Sequence, residues 1–158
     1  MAKQLLVALD ASEVTDKILA YVAPLAIQIE DLELQLVTVA VGVPTDSQEL
    51  AALHGDVPDP ELHGDEDHRD ALHALEQFLS DAVAKLKAAG VPADKITTQL
   101  LPDQRGVAAD LLDRARELGC DTLVVGRRHA AGLHHLLLGS TSEQLVEKAV
   151  DLTLWVVT

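Results

Sequence analysis

Short apolar runs alternate along the chain with longer stretches in which apolar residues recur at every third or fourth position. Runs of the first kind are typical of buried β-strands, and they lie at 4–9, 32–41, 95–101, 122–125 and 152–157. Spacing of the second kind predicts amphipathic helices, and it occurs at 12–29, 68–89, 107–118 and 140–150. Strands that alternate with helices form parallel sheets with right-handed crossovers. The pattern therefore predicts an α/β fold, a doubly wound five-stranded parallel sheet in three α/β/α layers.

The helix boundaries are predicted from local chemistry. Ser12 is expected to cap the first helix through its hydroxyl, with Glu13 in the first turn. Gly90 is expected to end the second helix. For the last helix, either Ser140 or Thr141 is the predicted cap.

The segment 42–67 interrupts the alternation with prolines, glycines and many acidic residues. Helix and strand signals resume after it without a change of composition, so we expect an acidic surface insertion within one domain spanning 1–158. Histidines and aspartates in and just after this segment suggest metal binding as an alternative. They are His54, Asp56, Asp59, His63, Asp65, Asp67, His68 and His73. Their spacing matches no zinc pattern, and we therefore favour the acidic loop over a metal site.

Charge and composition restrict the classes of partner. The chain has 26 acidic and 12 basic residues, a formal net charge of −14, and no basic patch interleaved with aromatic residues. This charge repels a phosphate backbone, so nucleic acid is not expected as a partner. The first apolar run is too short to cross a bilayer, and we expect a cytoplasmic protein without membrane insertion. Cys120 is the single cysteine and is predicted to be a buried thiol.

Candidate binding residues lie at the carboxyl edge of the predicted sheet, the side on which its parallel strands end. Ligands of open parallel sheets bind at this edge, where the strand order reverses. The segments 10–12, 39–41 and 126–142 begin there, the last including the sequence GRRHAAGLHHLLLGSTS. Its hydroxyl residues 140–142 open the last predicted helix, whose free N–H groups and dipole attract phosphate. The same residues also serve as ordinary helix caps, and local chemistry leaves both interpretations open.

A resemblance that extends over most of the chain favours the phosphate-binding interpretation of residues 140–142. The chain has neither a P-loop nor a G-x-G-x-x-G motif, but Gly126, Gly139 and Ser140 resemble the motif G-x2-G-x9-G-[ST] of nucleotide-binding universal stress proteins. The sequences LLVALDASE at 5–13 and GVAADLLDRARELGCDTLVVG at 106–126 are also similar to that family. The resemblance extends over the chain except for the acidic insertion. We accordingly expect the strand order 3-2-1-4-5.

The resemblance implies a regulatory module of the stress response that binds ATP, or AMP or another adenine nucleotide, with Mg²⁺ as a companion ion. It places Asp10 on the ribose and the backbone of Val39 on the adenine. It places five further residues on the ribose and phosphates, namely Gly126, Gly139, Ser140, Thr141 and Ser142.

Two departures from the family pattern, at His129 and Leu152, complicate the resemblance. His129 stands where the motif has its second glycine, and a Cβ there costs about 1 kcal/mol if the backbone φ is positive. Either His129 blocks the loop, leaving an interaction protein of the same fold that binds no nucleotide, or it is tolerated and contacts a phosphate. Arg127 and Arg128 precede it and are either phosphate contacts or solvated side chains. Leu152 replaces a proline that is frequent in the family.

No pairing of a nucleophile with a base is evident in the sequence. Ser12, Ser140 and Ser142 all have predicted roles at helix starts, and no G-x-S-x-G motif occurs. We therefore expect no dedicated catalysis, and at most slow ATP hydrolysis.

The last strand, 152–157, is predicted to form a homodimer interface. It is apolar, lies at a sheet edge in the expected order, and contains no lysine or proline to prevent pairing with a second copy. Trp155 would then lie at or near the contact; the alternative is that it packs under a helix of its own chain.

Overall fold

The computed structural model describes residues 3–43, 66–127 and 141–158. Within these ranges a five-stranded parallel sheet has the order β3-β2-β1-β4-β5, which confirms the predicted fold and strand order. The strands are β1 Lys3–Ala8, β2 Leu32–Ala40, β3 Ile96–Pro102, β4 Thr122–Gly126 and β5 Thr153–Val157. The helices are α1 Val14–Gln28, α2 Glu66–Ala88, α3 Val107–Leu118 and α4 Thr141–Lys148, with one 3₁₀ turn at Ala93–Lys95.

The central strand β1 explains the three layers. Leu5, Leu6 and Val7 are fully buried, so this strand is covered on both faces. Leu5 and Val7 belong to a core cluster shared with α1 and α2. Leu6 belongs to the cluster shared with α3 and α4.

Several predicted element boundaries are wrong by one or two residues, among them the starts of α2, β3 and α1. Helix α2 begins at Glu66, inside the segment 42–67 that was predicted as a loop. Residues 44–65 of that segment lie outside the described residues. Lys95 was predicted to begin β3 but ends a 3₁₀ turn, and its Nζ donates to the carbonyls of Ala26 and Ile29 at 2.8 and 2.9 Å. It thereby satisfies carbonyl groups at the end of α1.

The third wrong boundary is the Ser12 cap. Helix α1 begins at Val14, and Glu13 at the N-cap position makes no side-chain capping bond. Ser12 contributes its backbone carbonyl instead, which accepts the Thr15 N–H at 3.2 Å. The Ser12 N–H is itself bonded to the Asp10 carboxylate, so this loop is organised by Asp10.

The strand order reverses between β1 and β4, which are direct neighbours in the sheet. Val7 of β1 is in register with Val124 of β4, so the loop after β1 and the end of β4 lie side by side. This junction is the point at which open α/β sheets bind ligands. Among the helices that the structure describes, none is long and apolar enough to span a bilayer.

Candidate functional site

Asp10 lies in the β1–α1 loop at the carboxyl edge. Its side chain is half-buried, and its Oδ1 accepts the Ser12 N–H at 3.0 Å, a turn in which an aspartate bonds the backbone two residues on. Its backbone carbonyl accepts the Thr15 hydroxyl at the start of α1. The carboxylate is therefore held on a fixed loop beside the end of β4.

Val39 lies near the end of β2, two residues beyond the last β1–β2 pair, Ala8–Val37. Asp10 lies two residues beyond the same pair on β1, so the two candidate residues end neighbouring strands at a similar level. The Val39 carbonyl accepts the Val41 N–H at 2.8 Å, which turns the chain away from the sheet. The Val39 side chain packs into the core on the α3–α4 face, leaving its backbone as the part able to meet a ligand.

Gly126 ends β4 and has a packing role that the sequence did not reveal. A Cβ at this position would lie 2.7 Å from Val14 Cγ1 and 3.1 Å from Ile18 Cδ1, closer than side chains approach. Its φ is not positive, in contrast to Gly106 and Gly119, so steric room rather than backbone conformation requires the glycine. Gly126 thus lets the first turn of α1 rest directly on the end of β4.

Arg127 follows Gly126 with an exposed side chain, and its N–H donates to the Val157 carbonyl at 2.8 Å. Thr141 and Ser142 open α4, and Ser142 is buried. Because α4 leads back to the start of β5, which pairs at Thr153 with Thr122, its N-terminal turn is directed toward the carboxyl edge. The remaining predicted phosphate residues, His129, Gly139 and Ser140, lie outside the described residues, as does Arg128.

Two buried threonines that bond the loop carrying Asp10 were missed from the sequence. Thr38 donates its hydroxyl to the Leu9 carbonyl at 3.1 Å, and Thr15 donates to the Asp10 carbonyl. Both threonines are buried, and both bonds fix the loop that carries Asp10. For Thr38 the signal was a single hydroxyl within the apolar run of β2, since a buried hydroxyl must find a hydrogen-bond partner. Thr15, between Val14 and Asp16, carried no such signal.

Other predicted chemistry lies elsewhere. No group of metal-ligating side chains occurs in 3–43, 66–127 or 141–158, while His54 and His63 fall outside those ranges. Cys120 is buried, as predicted. It lies just before β4, at the end of the sheet opposite to the carboxyl edge. Desolvation by burial raises the pKa of its thiol, and the neighbouring Asp121 carboxylate adds to the effect.

Known proteins match this chain in sequence over most of its length. A family model described as the universal stress protein family matches residues 1–154. The universal stress protein YxiE of Bacillus subtilis (strain 168) is 32% identical over 146 residues, covering 92% of this chain and 92% of that protein.

Solved structures share the fold over the whole length. A universal stress protein from Archaeoglobus fulgidus matches with a TM-score of 0.68 and 20% identity, covering 100% of each chain. A structure of the universal stress protein from Archaeoglobus fulgidus in complex with dAMP matches with a TM-score of 0.64 and 17% identity, covering 99% of this chain and 98% of that one. At these identities the likeness concerns the fold.

Proposed function

This chain belongs to the universal stress protein family, and on that premise we propose that it binds an adenine nucleotide at the carboxyl edge and acts as a regulatory module of the stress response. The observation that carries the proposal is the position of Asp10. It places a half-buried carboxylate, bonded to its own loop, at the junction of β1 and β4. The dAMP bound to a protein of the same fold supports the choice of ligand class.

The proposed contacts follow from the chemistry of each residue. The Asp10 carboxylate accepts hydrogen bonds from ribose hydroxyl groups, and the Val39 backbone bonds the edge of the adenine. Gly126, Arg127 and the N-terminal turn of α4 at Thr141 and Ser142 face the sugar and phosphates. A set of phosphate contacts is completed by His129, Gly139 and Ser140.

The negative net charge of the protein means that binding a phosphate group requires positive groups close to it. With a net charge of −14, the protein as a whole repels an anionic ligand. The Arg127 guanidinium and the N–H groups at the start of α4 supply local positive potential that offsets this repulsion. Mg²⁺ bound to ATP reduces the ligand's charge, and we propose it as the companion ion for ATP but not for AMP.

The proposal is one of binding rather than catalysis. Asp10 is the nearest candidate base, and its Oδ1 is already bonded to the Ser12 N–H. We propose at most slow ATP hydrolysis, in a cytoplasmic protein whose partner contacts depend on the bound nucleotide.

A second candidate function is that of an interaction protein without nucleotide, and the histidine at position 129 favours it. Purified protein should be denatured and any released nucleotide identified by mass spectrometry. His129→Gly should be titrated beside the parent: similar affinities support nucleotide binding with His129 tolerated, whereas binding only by His129→Gly supports the second candidate.

We also propose a homodimer formed through β5, which is an edge strand of the sheet. Val156 on this strand is 39% exposed, and Val146 and Val150 nearby are also exposed. Trp155 is half-buried and meets Tyr21 of α1 edge to face, with ring centroids 5.8 Å apart. Packing against its own helix leaves the backbone edge of β5 free to pair with a second copy.

A further inference from the structure

The β1–α1 loop is tied to the protein by two threonine hydroxyls from different elements. Thr38 of β2 donates to the Leu9 carbonyl, and Thr15 of α1 donates to the carbonyl of the next residue, Asp10. We propose that Thr15 and Thr38 are positioning residues that set the place of the Asp10 carboxylate. The inference rests on the proposed nucleotide site, to which it adds two residues that touch no ligand.

The two bonds are needed because β1 leaves the sheet at this point. The Leu9 N–H still pairs with the Val37 carbonyl at 2.9 Å, but beyond it the loop turns away from the β1–β2 ladder. Buried carbonyls without a partner are costly, and the threonine hydroxyls supply the partners that the ladder no longer provides. The Leu9 carbonyl is thus fixed by a strand residue, and the carbonyl of the next residue, Asp10, is fixed by a helix residue.

The burial of the two threonines indicates that their hydroxyls are there for these bonds. Thr38 is 3% exposed and Thr15 is 5% exposed. Valine has the same shape and fits an apolar strand or a helix face, so packing alone does not require a hydroxyl at either position. The peptide groups on either side of the Asp10 Cα are the ones held, and their orientation fixes the direction of its side chain.

Isosteric variants test the proposal. Thr15→Val and Thr38→Val remove each hydroxyl and keep the volume, and we expect about tenfold weaker binding of AMP by calorimetry. Thr15→Ser and Thr38→Ser keep the hydroxyl and should bind within about twofold of the parent. Thr122→Val is the matched control, because Thr122 is 2% exposed and its hydroxyl bonds Asp121 at the opposite edge of the sheet.

A second measurement reports on the loop without nucleotide. The Ser12 N–H, which is bonded to the Asp10 carboxylate, should exchange with solvent about tenfold faster in both valine variants and unchanged in Thr122→Val. If the parent binds no AMP or ATP, the proposed function fails, and the exchange rates still decide whether the threonines hold the loop. Valine variants that match the parent in exchange overturn the inference. An equal loss of AMP affinity in Thr122→Val overturns it too. Serine variants that bind AMP as weakly as the valine variants also overturn it.

Discussion

Gly126 and Val14 meet so closely that a single added carbon would not fit between them, the distance from a Cβ at 126 to Val14 Cγ1 being 2.7 Å. Val14 is the first residue of α1 and Gly126 the last of β4. This contact joins the helix that follows Asp10 to the strand that precedes Arg127. It therefore sets the spacing between the two sides of the candidate site.

Gly126→Ala should lower the free energy of unfolding by about 1–3 kcal/mol, because the added methyl overpacks a buried contact. It should also weaken nucleotide binding by displacing the first turn of α1. Chemical denaturation of the variant and the parent measures the first effect, and calorimetry the second.

The double variant Gly126→Ala with Val14→Ala is the control. Val14→Ala removes Cγ1, the atom that lies closest to the added methyl, so the two changes together should cost less than the sum of their separate effects. If the losses of unfolding free energy in the two single variants simply add in the double variant, the close contact is not the cause of the loss in Gly126→Ala.

Asp10→Asn should reduce affinity for AMP by about tenfold, since hydrogen bonds to a charged acceptor are stronger than those to a neutral one. Asparagine keeps the side-chain oxygen that accepts the Ser12 N–H, so the loop itself should be retained. The matched control is Asp16→Asn, which removes the same charge from α1 at a side chain that is 71% exposed and paired with Lys85. Equal affinity losses in both variants would assign the effect to net charge.

Val156→Lys should convert the proposed dimer to a monomer, because it places a charge on the exposed edge of β5. Light scattering at about micromolar protein should give twice the chain mass of 16.9 kDa for the parent and the single mass for the variant. Ile27→Lys, at an exposed apolar position on α1, is the control and should remain dimeric. A parent of single mass rules out the interface.

Cys120 should make stability depend on pH in the alkaline range. Its pKa is raised in the folded state by desolvation, so the folded protein holds the thiol proton at pH values where the unfolded chain has lost it. The stabilisation by the protonated thiol is complete below the pKa of the unfolded state, and it is lost as the pH rises through the pKa of the folded state. Relative to Cys120→Ala, the parent should lose stability in urea unfolding as the pH rises above the ordinary thiol pKa of about 8.5. A constant difference would contradict the buried, protonated thiol.

The elements of the fold were predictable because each buries an apolar run or stripe that is visible locally. Leu5 to Val7 form such a run, and their burial on both faces is confirmed. The Ser12 cap was wrong because the Asp10 carboxylate and the Ser12 carbonyl organise the loop, which helix-start chemistry alone does not indicate.

The candidate site was predictable only in part. Asp10 and Val39 end neighbouring strands, a consequence of strand order that topology rules capture. The roles of Gly126 and Thr38 depend on contacts between elements distant in sequence, Thr38 and Leu9 being 29 residues apart. Nothing in the spacing of such residues identifies their partners.

The central claim is that an adenine nucleotide binds at the carboxyl edge, and calorimetric titration of the nucleotide-free protein tests it most directly. The account predicts saturable heat with AMP or with ATP and Mg²⁺, at one site per chain. It also predicts a gain of about 2.7 kcal/mol in unfolding free energy at a hundredfold excess of nucleotide over its dissociation constant. Absence of both heat and thermal stabilisation at about millimolar nucleotide would contradict it.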